Sequence, residues 1–373
     1  MSRRALWPAC APRRIGRSGS GANVLAVKVA AEAARRFLVA RHFLAPARSL
    51  AGGLDGVLEV FRKLGSIQFD PIAVAGRNHD LVLHARVAGY EPAWCDVLYE
   101  RREIFETTNK ALSFVPTSEL PWFRLGWGRK GPRFHADALA DNAVVAESVL
   151  ERIRADGPLC SADLERKSGA TNDWFGLPEN AVRSVLEAYT VAGVLGLVRR
   201  DGNLRYYDLL ERLLPAELLA REVPEREQVR HKLLSRYRAH GLLGPGGAGG
   251  TFARIAPPPQ RNELRKELLE LGALVPVDVE GVRGKRLVVA DELALLQSPP
   301  EPAPTVAFIA RSTPSCGTPP SSRACSTSSS CGRGSSRRTS AASAGTCCRS
   351  SSVTGSSAGS SRRSSATSAA CRC

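Results

Sequence analysis

Between Pro178 and Tyr207 the chain spells out a helix, a stop and a hairpin in thirty residues. Pro178 opens a long amphipathic helix to about Ala192, with Val182, Val185, Leu186 and Tyr189 on its inner face. Gly193 ends it, Val194 to Val198 forms a strand, Asp201-Gly202 is a strong hairpin signal, and Leu204 to Tyr207 returns as the partner strand. Upstream, a helix over Ala136 to Ala155 stops at Asp156-Gly157-Pro158, and Ser161 caps a short helix over Ala162 to Lys167. Three helices followed by a two-stranded hairpin is the order of a winged helix-turn-helix. The hairpin carries Arg199, Arg200, Asn203 and Arg205, a positive patch suited to phosphates, with a salt-bridged, solvated hairpin as the alternative.

The same order recurs downstream. Glu225 to His240 is a basic helix with Arg226, Arg230, His231, Lys232, Arg236 and Arg238, read as a solvated face that can also touch a nucleic-acid backbone. A helix over Gln260 to Leu271 precedes strands at Ala273 to Val277 and Arg286 to Val289, which flank a turn at Gly281 to Gly284. Aligning Val185 to Tyr207 with Leu268 to Val289 matches helix, glycine, strand, polar turn, strand, so two winged-helix repeats are expected, with the N-terminal helices as a degenerate third. The fold class is therefore mainly α with small β hairpins (α+β), in tandem winged helix-turn-helix repeats. The expected organisation is a basic leader over 1–24, an N-terminal helical region over 25–135, a winged helix over 136–215, a similar repeat over 216–310, and a Ser/Arg/Cys-rich tail over 311–373.

Charge has to be located before it is interpreted. The net charge of +16 includes nine arginines and no acid in residues 311–373, and five arginines and no acid in residues 1–24. What remains for 25–310 is only +2, so overall pI is no argument for nucleic acid and any DNA contact must come from local patches. Seven of the ten cysteines lie at or after Cys316, while Cys10, Cys95 and Cys160 are scattered; this excludes a zinc site built on paired cysteines and fits a reducing cytoplasm. No apolar run approaches the roughly 20 residues of a membrane span.

From Arg311 the composition breaks: 22 serines, one valine and no Leu, Ile, Phe, Tyr or Trp. Low complexity is the usual explanation. Shifting the reading frame by one base supplies another, because TCN serine codons then become NTC codons for Phe, Leu, Ile or Val. Permitted codons for Ser312 to Thr318 return Leu-Asp-Pro-Leu-Val-Trp-Asp. We therefore expect 311–373 to be the out-of-frame translation of a natural C-terminal segment.

In Leu64-Gly65-Ser66-Ile67-Gln68-Phe69-Asp70-Pro71, a helix stops at Gly65 and a short extended piece follows. Extended backbone alternates its side chains, so Gln68 and Asp70 share one face while Ile67 and Phe69 point into the core. Pro71 keeps Asp70 out of the helical region. An amide and a carboxylate held side by side can place a water and a charge against a ligand; a core strand with two solvated polar residues is the bland alternative. Downstream, His79 and His84 are either phosphate contacts or structural histidines, and Arg77 divides between a phosphate contact and an ion pair with Asp80 or Glu106. Trp122, Phe123 and Trp127 offer base stacking or core packing.

These stretches, with Gly76 to Arg86 and the hairpin Arg199 to Tyr207, resemble the bacterial YcaQ/AlkZ-type DNA glycosylases, also classed as winged helix DNA-binding proteins; the resemblance covers roughly 26–310. The out-of-frame heptad resembles a family motif as well. The resemblance implies hydrolysis of the N-glycosidic bond of N7-substituted purines, including crosslinks, with Gln68 and Asp70 as the catalytic pair. The residues themselves offer the DNA contacts expected beside that pair: Arg77, His79, Arg199, Arg200, Asn203 and Arg205. Double-stranded DNA is the expected partner of a cytoplasmic monomer, with no cofactor, metal or membrane. The rival expectation is a non-enzymatic winged-helix regulator reading DNA through Asn180, Arg183, Ser184 and Glu187.

Overall fold

A computed structural model describes residues 26–70, 73, 76–127, 133–164, 170–172, 178–247 and 250–302. The leader 1–24, the tail 311–373 and Pro71 lie outside the described residues.

The N-terminal third runs β1 (Val27–Val29), α1 (Ala31–Arg41), α2 (Leu54–Leu64), β2 (Ile67–Gln68), α3 (Asn78–His84), α4 (Pro92–Glu100), β3 (Ile104–Thr108) and β4 (Leu112–Pro116), then a 3-10 segment, Thr117–Gly126. In α2 the buried Val57, Val60, Phe61 and Leu64 form one helical stripe. Gly65 then takes a left-handed φ of 74° and donates its N–H to the Phe61 carbonyl at 2.7 Å, ending the helix where expected. The polar cluster at 77–80 and the apolar run behind it join into α3, which buries Val82 and Leu83.

The middle third comprises α5 (Arg133–Asp141), α6 (Ala143–Asp156), β5 (Leu159–Cys160), α7 (Ser161–Leu164), β6 (Ala170–Asn172), β7 (Pro178–Asn180), α8 (Ala181–Val191), β8 (Leu195–Asp201), β9 (Leu204–Leu209), α9 (Leu210–Leu213) and α10 (Ala216–Ala220). The expected single helix over 136–155 is two. Asn142 leaves helical geometry and its side-chain amide donates to the Ala138 carbonyl at 2.9 Å, a local competition that apolar periodicity does not register. The helix expected from Pro178 begins at Ala181, because the Asn180 carboxamide caps it by accepting from the Val182 N–H at 2.8 Å. Pro178 to Asn180 instead pairs with β6.

The last third holds α11 (Glu225–His240), α12 (Pro258–Glu270), β10 (Leu274–Val279), β11 (Arg286–Val289) and α13 (Leu293–Gln297). The protein is thus mixed α/β, helices predominating over small sheets.

One topology recurs. In the N-terminal third the strands lie in the order β2-β4-β3, and in the middle β5-β9-β8, so each time the first short strand pairs with the last. In the last third Leu243 stands in for that first strand, exchanging backbone hydrogen bonds with Leu287 of β11, which pairs with β10. The far edge of β10 is taken by β1 in parallel, Val27 opposite Val277. Beside it, Arg41 is buried against Glu292 at 2.6 Å, and Lys63 reaches the same carboxylate at 2.7 Å. The stretches 25–135 and 136–215 share one core, in which Phe61, Ile67, Phe69, Leu98 and Phe114 pack in a cluster with Val149, Val182, Leu186 and Leu197. No described helix is long and apolar enough to cross a membrane.

Candidate active site

The segment after α2 alternates as extended backbone must. Ile67 and Phe69 are 3 % exposed, whereas Ser66, Gln68 and Asp70 are half-buried on the other side. β4 holds the segment in place: Ile67 sits opposite Phe114, Gln68 opposite Ser113, and the Phe69 N–H donates to the Leu112 carbonyl at 2.9 Å. The Gln68 carbonyl accepts from the Asn78 side chain at 2.8 Å, fastening the segment to the start of α3. Ser66, on the Gln68/Asp70 side, accepts from the Asn109 carboxamide at 2.9 Å.

Phe69 determines where its two polar neighbours point, and it is gripped by three side chains. His79 stacks on it with ring centroids 5.4 Å apart, Phe114 meets it edge-on at 5.4 Å, and the Arg200 guanidinium lies 4.1 Å from the ring centroid. Arg200 comes from the hairpin of the middle third and is fixed by Glu106 of β3, with Nε–Oε2 at 2.8 Å and Nη2–Oε1 at 2.5 Å.

His79 is therefore the structural histidine of the two alternatives. It is 2 % exposed, and burial pushes its imidazole down to about 4, outweighing Asp80. His84 is exposed. Arg77 is half-buried at the head of α3; of the two acids considered for it, Glu106 is taken by Arg200, and Asp80 accepts from the Tyr90 hydroxyl at 2.7 Å.

The four hairpin residues do not make one patch. Neighbours on a strand face opposite ways, so Arg199 is exposed, with its guanidinium over the Tyr206 ring, while the Arg200 side chain is only 10 % exposed and spent on Glu106. Arg200 is thus corrected from a phosphate contact to a buried structural ion pair. A bulge at Val198 sets which of the two turns inward, and the freed Val198 carbonyl accepts from Arg102 at 2.7 Å. Asn203 is exposed at the tip and Arg205 half-buried.

The aromatics are packed. Trp122 stacks on His231 at 4.3 Å, Phe123 meets Phe105, and Trp127 covers Gly193, where any side chain would collide with the indole. On α8, Asn180 is used as the cap and Ser184 is 4 % exposed, leaving Arg183 and Glu187 to face outward. Of the basic helix, Arg226 and Arg230 pair with Glu267, as a solvated face should, but Lys232 and Arg236 are buried. The signal for this was available: Val229, Leu233 and Tyr237 form a stripe one residue wide, too narrow to cover a helix, and Lys232 and Arg236 flank it one turn apart. Among the described residues no cluster of His, Cys, Asp and Glu could hold a metal.

A family model described as DNA glycosylase AlkZ-like matches residues 61–312. The chain belongs to the AlkZ-like DNA glycosylase family. The match takes in the Gln68/Asp70 segment, α3 and the Arg199–Arg205 hairpin, and it stops within two residues of the composition break at Arg311. A search of curated proteins finds no match. Among solved structures, the chain is similar to the Streptomyces sahachiroi DNA glycosylase AlkZ at 17% identity with a TM-score of 0.48, covering 74% of this chain and 73% of that one.

Proposed function

We propose that this member of the family hydrolyses the N-glycosidic bond of N7-alkylated purines in duplex DNA and unhooks interstrand crosslinks whose adducts are of that kind. The observation that carries this is the alternation that leaves Gln68 and Asp70 half-buried, opposite the core residues Ile67 and Phe69, on a segment clamped through Phe69. Alkylation at N7 makes the purine a cation, so it departs as a neutral base with the electrons of the C1′–N9 bond and needs no general acid. One carboxylate can then do what two do in ordinary glycoside hydrolysis. Asp70 stabilises the oxocarbenium-like sugar and accepts the proton of the water that bonds to C1′, while Gln68 orients that water.

In this reading the three recurring units are winged helices. Arg199, Asn203 and Arg205 of the second wing, with Arg77 beside the catalytic segment, meet the DNA backbone. The enzyme works as a cytoplasmic monomer without a cofactor. The regulator alternative has less to stand on, since two of its four base-reading candidates are occupied inside the protein. The deciding experiment is release of N7-methylguanine from an alkylated duplex, run on this chain and on one with the frame restored after codon 310. Release by the restored protein supports the assignment; duplex binding without release points to the regulator.

A further inference from the structure

Lys232 and Arg236 form a feature that the catalytic pair does not account for. They are 6 % and 7 % exposed and lie one turn apart on the same side of α11, which packs against the 3-10 segment 117–126 and α2. Burying one cation is costly without a partner, and burying two together is more so. Among the described residues no carboxylate meets either. The Lys232 ammonium lies 4.8 Å from the Phe123 ring centroid, and Arg236 donates from one terminal nitrogen to the Asn109 carbonyl oxygen at 2.6 Å while its buried Nε has no partner. Burial, with Arg236 and Arg254 nearby, pushes the Lys232 ammonium down to about 8, so it still carries its proton at neutral pH. Two other buried arginines do meet carboxylates, Arg41 with Glu292 and Arg200 with Glu106, while the buried Arg86 donates to the His42 and Val82 carbonyls.

The position is as telling as the charge. Asn109, which accepts from Arg236, donates to Ser66, and Ser66 stands on the same side of its strand as Gln68 and Asp70. A two-step hydrogen-bond relay therefore ties the cation pair to the catalytic segment. We propose that Lys232 and Arg236 are an anion subsite that receives one backbone phosphate of the DNA strand presenting its nucleotide to Gln68 and Asp70. This rests on the DNA-glycosylase assignment and adds a binding site to it. A phosphodiester supplies the missing counter-charge without titrating, and it holds the sugar at a fixed distance from the carboxylate.

The test uses the full chain and a lesion-free duplex, so it does not depend on base release. Lys232→Gln and Arg236→Gln should each weaken duplex binding and lower the slope of log K against log salt by about 0.9, the contribution of one phosphate. Lys232→Arg should restore most of the slope. The melting temperature without DNA should hold or rise in Lys232→Gln and in Lys232→Met, because an uncompensated buried charge has been removed. Variants that melt lower and bind with an unchanged slope would show the cations to be structural and overturn the subsite, leaving the glycosylase assignment intact. Absence of duplex binding by the wild type would sink both. Inorganic phosphate that stabilises the wild type but not Lys232→Gln, and does so at concentrations below those that screen DNA, would reassign the site to a free anion.

Discussion

Arg200 lies over the ring of Phe69, its guanidinium 4.1 Å from the ring centroid, although the two residues are 131 positions apart and belong to different thirds of the chain. The hairpin of the middle third thereby holds the segment on which the N-terminal third displays Gln68 and Asp70. Glu106 completes the arrangement, its side chain 1 % exposed and doubly hydrogen-bonded to Arg200.

That arrangement predicts a cost for losing either partner. Glu106→Gln or Arg200→Met leaves the other charge buried alone and should destabilise by roughly 3 kcal/mol. The double replacement should cost less than the sum of the two. Urea denaturation of the four proteins in a double-mutant cycle checks this, and strict additivity would mean the pair is not coupled. Arg200→Lys should also weaken base release more than it weakens DNA binding, since an ammonium cannot keep the forked contact and the ring stacking together.

Asp70→Asn should lower release of N7-alkylguanine by on the order of 10²–10³-fold or more, the scale set by removing one group that stabilises transition-state charge. Duplex affinity should change little, because the carboxylate repels rather than holds the backbone. Gln68→Ala should have a smaller effect on the same rate. Single-turnover release and a fluorescence binding assay separate the two quantities; unchanged release in Asp70→Asn would remove that residue from the mechanism.

His79 makes stability depend on pH in a defined direction. Burial lowers its folded pKa to about 4 from an ordinary 6.5, so between those values the unfolded chain binds more protons than the folded one. Stability is then complete above about pH 6.5 and falls as the pH drops toward 4, by at most roughly 3 kcal/mol from this residue. His42, wholly buried and also shifted down, adds to the same trend. Denaturant midpoints at pH 7 and pH 5 should differ less in His79→Phe than in the wild type. Equal pH slopes would show that His79 does not titrate with unfolding.

The hairpin residues should separate by face. Arg199→Gln should weaken binding to any duplex sequence and reduce the salt slope by about 0.9, while leaving the melting temperature unchanged. Arg200→Gln should do the reverse, lowering the melting temperature with little change in slope.

The tail carries a genetic prediction. Resequencing the gene around codon 310 should reveal an inserted or lost base, with an apolar, charged-turn sequence in the restored frame. An intact frame there would retire the frameshift and make the serine-rich stretch a genuinely encoded segment.

Local patterns carried much of this protein. The stop at Gly65, the hairpin turn at Asp201-Gly202, the repeated order of helix and strands, and the alternation of Gln68 and Asp70 with the buried Ile67 and Phe69 all follow from spacing, because they depend on rules that act within a few residues. The exceptions are equally local. The break at Asn142 and the cap at Asn180 come from side chains competing for backbone groups, which hydrophobic periodicity does not count.

What the chain could not disclose by itself was which charges are spent internally. Arg199 and Arg200 look alike in sequence, yet one faces solvent and the other sits on Phe69, because a single bulge and the approach of β3 decide which partner each can reach. Lys232 and Arg236 look like a solvated face, yet they are only 6 % and 7 % exposed. Periodicity determines the direction in which a side chain leaves its own backbone. Only the packing of distant segments determines whether water, a carboxylate or nothing waits there, and the energy of a charge depends on that answer.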